Sequence, residues 1–215
     1  PRAYFGYPAQ ATAEEGRGST KWGLEIIDHC AGGRNYRTGA TGTRMRHFSC
    51  SWYGRVGSPI SGFEQAIQQI RERLGRYPQF RDLPVEVAEF SALTDERGRR
   101  LVANDASEWG GSFFAAIADR AWRLDVRQIH QWAGSSMGLP TPWTHVMGML
   151  ERMAGGERLA VGPANAAQGD ESGVTACRRG DSILILVYHH RPAREPKVVN
   201  RFVLKLDGLA AGRWA

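Results

Sequence analysis

An α/β architecture with a β-rich tail is the fold class this sequence predicts, on three observations. From residue 45 to residue 153, strand-like and helix-like stretches alternate at spacings that suit parallel βαβ units with right-handed crossovers. Leu83-Pro84-Val85-Glu86-Val87-Ala88-Glu89-Phe90-Ser91 is a short apolar strand that delivers an acid to its end, and a polar segment, Ser91 to Asn104, begins there. Beyond about residue 157 no further helix pattern appears, and short strand candidates follow one another between Gly, Asp and Pro turns.

Residues 1 to 20 read as the end of a strand running into a Gly/Ser loop. Thr20 is placed to cap a helix over Lys21 to Cys30, with Trp22, Ile26 and Ile27 on one face and Glu25 and Asp28 looking out. Met45 to Gly54 follows as a strand that finishes in aromatics and a glycine. Phe63, Ile67, Ile70 and Leu74 recur at helical spacing, so Phe63 to Leu74 is a helix leading back to the Glu89 strand. From about Asp105 to Leu124 the inward positions are Trp109, Phe113, Ile117, Ala121 and Leu124, and Val126 to Ala133 is the next strand. Trp143 to Met153 is helical and ends at Gly155-Gly156. The tail offers strands at Leu159 to Gly162, Gly173 to Cys177, Ser182 to Tyr188 and Val198 to Leu206.

With 215 residues, 42% hydrophobic and 23% charged, the chain has room for a real core. No apolar run approaches the roughly 18 residues of a membrane span, so no membrane partner is expected. The chain opens at Pro1 without a signal sequence, its start is not read as the gene's start, and its targeting is not legible. A formal charge of +6, carried almost wholly by arginine, permits an acidic polymer as partner. The basic residues are scattered apart from Arg97-Gly98-Arg99-Arg100 and Arg178-Arg179, and no nucleic-acid motif accompanies them. Cys30, Cys50 and Cys177 are odd in number and lack CxxC spacing, which makes them buried thiols rather than disulfides or zinc ligands. Phosphate loops, dinucleotide fingerprints and nucleophilic serine elbows are absent, so no cofactor is implied.

An apolar strand that carries a carboxylate to its C-terminal end is how parallel α/β proteins place catalytic groups. Glu89 fits that pattern, and it also fits a strand-end acid that is merely solvated or paired. Strict alternation would send Glu86, three residues earlier, to the opposite face. Glu14, Glu15 and Asp95-Glu96 fall in loops and read as solvated. His189-His190 looks like a metal pair, but adjacent strand residues diverge and no acid sits at ligand spacing, so a solvent-facing turn is expected and no metal.

The succession of residues resembles glycoside hydrolase family 39, the retaining β-xylosidases and α-L-iduronidases built on (β/α)8 barrels. Gly6-Tyr7-Pro8-Ala9-Gln10-Ala11 is similar to the family's segment after strand five, Phe48 to Gly54 to its strand six, and Val87-Ala88-Glu89-Phe90-Ser91 to its strand seven with the nucleophile. Ile129 to Ala133 resembles strand eight, Pro140-Thr141-Pro142-Trp143 to Val161 the last helix and its exit, and Val203 to Leu209 the accessory β-sandwich. The resemblance implies the C-terminal half, strands five to eight, of a (β/α)8 TIM barrel over residues 1–156, followed by part of a β-sandwich over 157–215. It also implies a fragment, because a full barrel takes about 250 residues and the acid/base, expected in an Asn-Glu pair after strand four, has no counterpart.

Retaining hydrolysis needs two carboxyls about 5 to 5.5 Å apart, one as nucleophile and one as acid/base. The resemblance makes Glu89 the nucleophile, and an ionised Glu89 needs a hydrogen-bond donor, for which Tyr53 on the neighbouring strand is the natural candidate. Tyr53 could equally be an aromatic that only packs. Trp132 is placed as a platform under the sugar ring or as a core tryptophan, and the Trp52-Tyr53 aromatic pair borders the same subsite. His130 and Gln131 could bond sugar hydroxyls, although only one of two successive strand residues faces the interior, and a satisfied core histidine is the safer reading of His130. Ser51 stands where the family usually has a His, and His130 where it usually has a Trp, which leaves the sugar open. A carbohydrate substrate is the implied partner. Two rivals remain: a non-catalytic carbohydrate-binding protein on the same scaffold, and a polyanion binder motivated by the charge.

Overall fold

The computed structural model describes residues 4–8, 19–94, 107–131, 140–162, 171–193, 203–205 and 207–208. Four strands, β1 (Tyr4–Pro8), β2 (Phe48–Arg55), β3 (Val85–Thr94) and β4 (Val126–Gln131), form one sheet in that spatial order. Every pair in it is parallel. The helices α1 (Ser19–Gly32), α2 (Ser61–Gly75) and α3 (Glu108–Arg123) connect successive strands, and α4 (Pro142–Met153) follows β4. A second sheet is antiparallel, ordered β5 (Glu157–Arg158), β6 (Glu171–Arg179) and β7 (Ser182–His190). The described chain is thus mixed α/β, with an open parallel sheet and a small antiparallel one.

Local chemistry accounts for the helices. In α2 the periodic residues Phe63, Ile67, Ile70 and Leu74 are all at most 1% exposed, so one stripe meets the sheet while Glu64, Gln68 and Glu72 face away. Ser107 caps α3 by accepting a hydrogen bond from Gly110 N at 3.2 Å. Thr141 and Thr144 cap α4 reciprocally, with Pro142 in the first turn, where its missing N–H costs nothing. Thr20, by contrast, lies inside α1, which already begins at Ser19.

Helix α3 is buried on two sides because it lies between the two sheets. Phe114 stacks on Phe90 of β3 at 5.6 Å, while Trp109 and Phe113 flank His190 of β7 at 5.0 and 5.8 Å. This placement explains why an acid, Asp119, can be only 2% exposed in the helix. Its carboxylate accepts from Thr175 Oγ1 (2.9 Å), Tyr188 Oη (2.8 Å), Arg120 Nη1 (3.0 Å) and Arg123 Nε (3.0 Å), so every lone-pair direction has a donor. Burial pushes the Tyr188 phenol upward, and the neighbouring Asp119 charge adds to it. Arg120 continues to Glu64 at 2.7 Å and Glu171 at 3.6 Å, joining α2, α3 and β6.

The structure departs from several expectations. Strand β3 does not stop at Glu89 but runs to Thr94, because Phe90 (0% exposed) and Ala92 (4%) keep burying its far half. His189 and His190 are not in a solvent-facing turn. Both belong to β7, with His190 wholly buried beside Ser112 Oγ (3.0 Å) and His189 against Ser172 Oγ (2.7 Å). Within the expected strand at Val198 to Leu206, the described residues 203–205 are irregular. All three cysteines are free and buried, and burial pushes the Cys50 thiol up to about 12, which leaves it unreactive.

Candidate active site

Alternation along β2 sorts the site from the core. Phe48, Cys50 and Trp52 face the helices; Trp52 is 5% exposed and packs edge-on against Phe63 and in a stack with Phe113. Ser49, Ser51 and Tyr53 therefore look to the other face. Trp52 accordingly cannot border a sugar subsite: the tryptophan of the Trp52-Tyr53 pair belongs to the core.

On β3, Val85 and Val87 pair with Phe48 and Cys50, and thus share the helix face. The register then slips. Ser51 pairs with Glu89 and Trp52 with Phe90, so one extra residue, Ala88, is inserted opposite β2. The bulge inverts the parity of everything beyond it. Glu89 consequently joins Glu86, the partner of Ser49, on the face away from the helices, and the expectation that these two acids diverge is corrected.

Tyr53 Oη donates to Glu89 Oε2 at 2.5 Å, within the range of a charge-assisted O–H···O⁻ bond. The two residues sit on adjacent parallel strands, both half-buried, so the phenol fixes one carboxylate oxygen from the side. Glu86 is held differently, 3.8 Å from both His47 Nε2 and Arg127 Nε. A guanidinium and an imidazole at that range suit an anchored acid rather than a proton donor. Ser51, the strand neighbour of Glu89, is 2% exposed, and its Oγ has no hydrogen-bond partner among the described residues.

Strand β4 completes the face. Val126 and Ile129 pair with Val85 and Val87 on the helix side, and Gln131 pairs with Phe90 on that same side. Gln131 is thereby directed to the helix layer, which corrects its assignment as a sugar contact. His130, between them, stands on the face of Glu89 and is exposed, so it is not a core histidine. Trp132 lies outside the described residues, as do Glu14, Glu15 and Asp95-Glu96. The structure thus joins Glu89 to Tyr53, puts His130 on the same face, and turns Trp52 and Gln131 to the other. His47 and Arg127 escaped the sequence analysis, since nothing local marks them as partners of Glu86.

An ionisable carboxylate oriented by a phenol on a strand face, with a histidine of the next strand on that same face, is an arrangement that can attack an electrophilic carbon or hold a polar ligand. No protein-family model matches the chain. It is similar to the alpha-L-iduronidase of Canis lupus familiaris, 39% identical over 88 residues, which make up 40% of this chain and 12% of that protein. A glycosidase is therefore among the proteins this chain resembles, over a short part of the relative's length.

Proposed function

We propose that this chain contributes the nucleophile side of a retaining glycoside hydrolase site, with Glu89 as the attacking carboxylate. The observation that carries the reading is the Tyr53 to Glu89 hydrogen bond between adjacent parallel strands, because it holds the carboxylate in one orientation on the strand face. The coarse similarity to an alpha-L-iduronidase supports the same direction. In this reading the four parallel strands are the last four of a (β/α)8 barrel of the family 39 kind, and the antiparallel strands belong to an accessory sandwich. The barrel interior is the face that bears Glu89, Tyr53 and His130. Glu89 opens the glycosidic bond to form a glycosyl-enzyme intermediate, Tyr53 holds it, and His130 meets a sugar hydroxyl. The general acid/base lies outside the described residues.

The test uses the intact protein and a panel of aryl glycosides, xylosides and iduronides included. Turnover with retained anomeric configuration, together with a fluorosugar adduct mapped by mass spectrometry to Glu89, is the expected result. An inverted product or an adduct on another residue refutes it. Sugar binding with no turnover on any substrate instead makes the chain a carbohydrate-binding protein on the same scaffold.

A further inference from the structure

We propose that the loop from Arg34 to Arg46, at the N-terminal end of β2, is a docking surface for an anionic polysaccharide chain. The sequence holds no acid between Asp28 and Glu64, a span that includes Arg34, Arg37, Arg44, Arg46 and Arg55. Arg34, Arg37, Arg44 and Arg46 are all exposed, and none forms an ion pair with another described residue. Four exposed guanidiniums on one loop of thirteen residues, with no acid in that loop, raise the local positive potential, and a bound polyanion neutralises it.

The loop is built to hold its shape. Asn35 N donates to Ala40 O (2.8 Å) and Gly39 N to Asn35 O (2.7 Å), closing a tight turn around Tyr36 to Thr38. The Asn35 side chain accepts from Arg37 N (3.0 Å) and Thr38 N (3.2 Å) and donates to Thr43 Oγ1 (3.0 Å). Thr43 N then bonds Cys30 O at 2.7 Å, tying the loop to the end of α1, and Met45 anchors it at 5% exposure. Gly39 and Gly42 supply the positive φ values, 74° and 79°, that the path requires. The backbone carrying the arginines is therefore ordered before any partner arrives, which removes part of the entropic cost of binding.

Guanidinium groups match carboxylate and sulfate oxygens bidentately, the chemistry that repeats along an acidic polysaccharide. Nucleic acid fits less well. Tyr36 is the one large aromatic exposed among the described residues, and one face of its ring stacks on His29, which leaves no series of platforms for bases. Because the loop precedes β2 while Tyr53 lies toward its other end, the two sites are separated by about 20 Å of strand. The choice of a sugar polymer rests on the glycosidase reading above; the basic surface itself does not.

The experiment measures binding of fluorescent dextran sulfate, polygalacturonate, neutral dextran and a DNA duplex to the intact protein. Four exposed arginines are replaced together, Arg34→Gln, Arg37→Gln, Arg44→Gln and Arg46→Gln. A control removes the same charge elsewhere, with Arg152→Gln, Arg178→Gln, Arg179→Gln and Lys205→Gln, and circular dichroism confirms that both variants stay folded. The loop variant is expected to lose affinity for the two acidic polysaccharides by about 30-fold or more at about 50 mM salt, and the control by less than about threefold. Equal losses in the two variants, no binding of acidic polysaccharide, or tighter DNA binding that the loop carries, each overturns the proposal. Turnover of small aryl glycosides, which do not reach the loop, is read separately: its absence defeats the glycosidase reading and leaves the docking result standing.

Discussion

Glu86 and Glu89 share one face of β3 although they are three residues apart, because Ala88 is an extra residue that slips the register against β2. Without the bulge, one of them would point into the helix layer, among Phe63, Phe113 and Phe114, where an unpaired carboxylate is costly. With it, two acids stand on the same surface and are told apart by their neighbours. Glu89 meets the Tyr53 phenol, whereas Glu86 meets Arg127 and His47.

That difference predicts unequal mutants. In the intact protein, Glu89→Gln should lower turnover on the order of 10³-fold or more while sugar binding persists, since an amide keeps the shape but cannot attack. Azide should restore activity to Glu89→Gly, giving the inverted glycosyl azide. Glu86→Gln should cost less than about tenfold. Steady-state kinetics on all three variants decide the matter, and comparable losses for Glu86→Gln and Glu89→Gln would exclude Glu89 as sole nucleophile.

Tyr53→Phe removes one charge-assisted donor and leaves the ring. The expected loss in kcat is about 10- to 100-fold, the equivalent of a hydrogen bond to a charged group, with KM little changed. A purely packing role for Tyr53 predicts wild-type kcat, because phenylalanine packs as well.

Asp119→Ala strips four donors of a buried acceptor and leaves Arg120 and Arg123 short of an anion. Unfolding in urea should show a loss of about 3–5 kcal/mol. Gly173→Ala should reproduce part of that loss, because a Cβ at Gly173 collides with the Tyr188 phenol and displaces it from Asp119. A near-neutral Asp119→Ala would mean that the network does not hold α3 to the antiparallel sheet.

Glu171 gives a pH dependence. Burial raises its pKa above the usual 4.5, and the hydrogen bond from Ile60 N (2.7 Å) and the Arg120 charge only partly oppose this. A raised carboxyl holds its proton more tightly folded than unfolded, so stability falls as pH climbs from about 4.5 through the folded pKa. Glu171→Gln keeps an acceptor for Ile60 N and should flatten that decline. Urea midpoints for both proteins at about pH 4.5 and pH 7.5 measure it, and parallel curves would remove Glu171 as the cause.

Local signals in the chain give the alternation of helices and strands up to α4, and they leave the one contact of the site as an open choice. Helical spacing of Phe63, Ile67, Ile70 and Leu74 is a local signal, and all four are buried in α2. For Tyr53 the sequence leaves a donor to Glu89 and a packing aromatic as equal readings, and the structure shows the hydrogen bond. What alternation could not supply was parity across a bulge, since an inserted Ala88 leaves no mark in composition; Glu86 was therefore turned to the wrong face. Only tertiary structure decided between two neighbouring aromatics, burying Trp52 beneath Phe63 and Phe113 and leaving Tyr53 to the carboxylate. It also decided that His190 is a core residue and His130 an exposed one, because burial depends on what packs against a strand, and for β7 that is helix α3, which begins some eighty residues earlier in the chain.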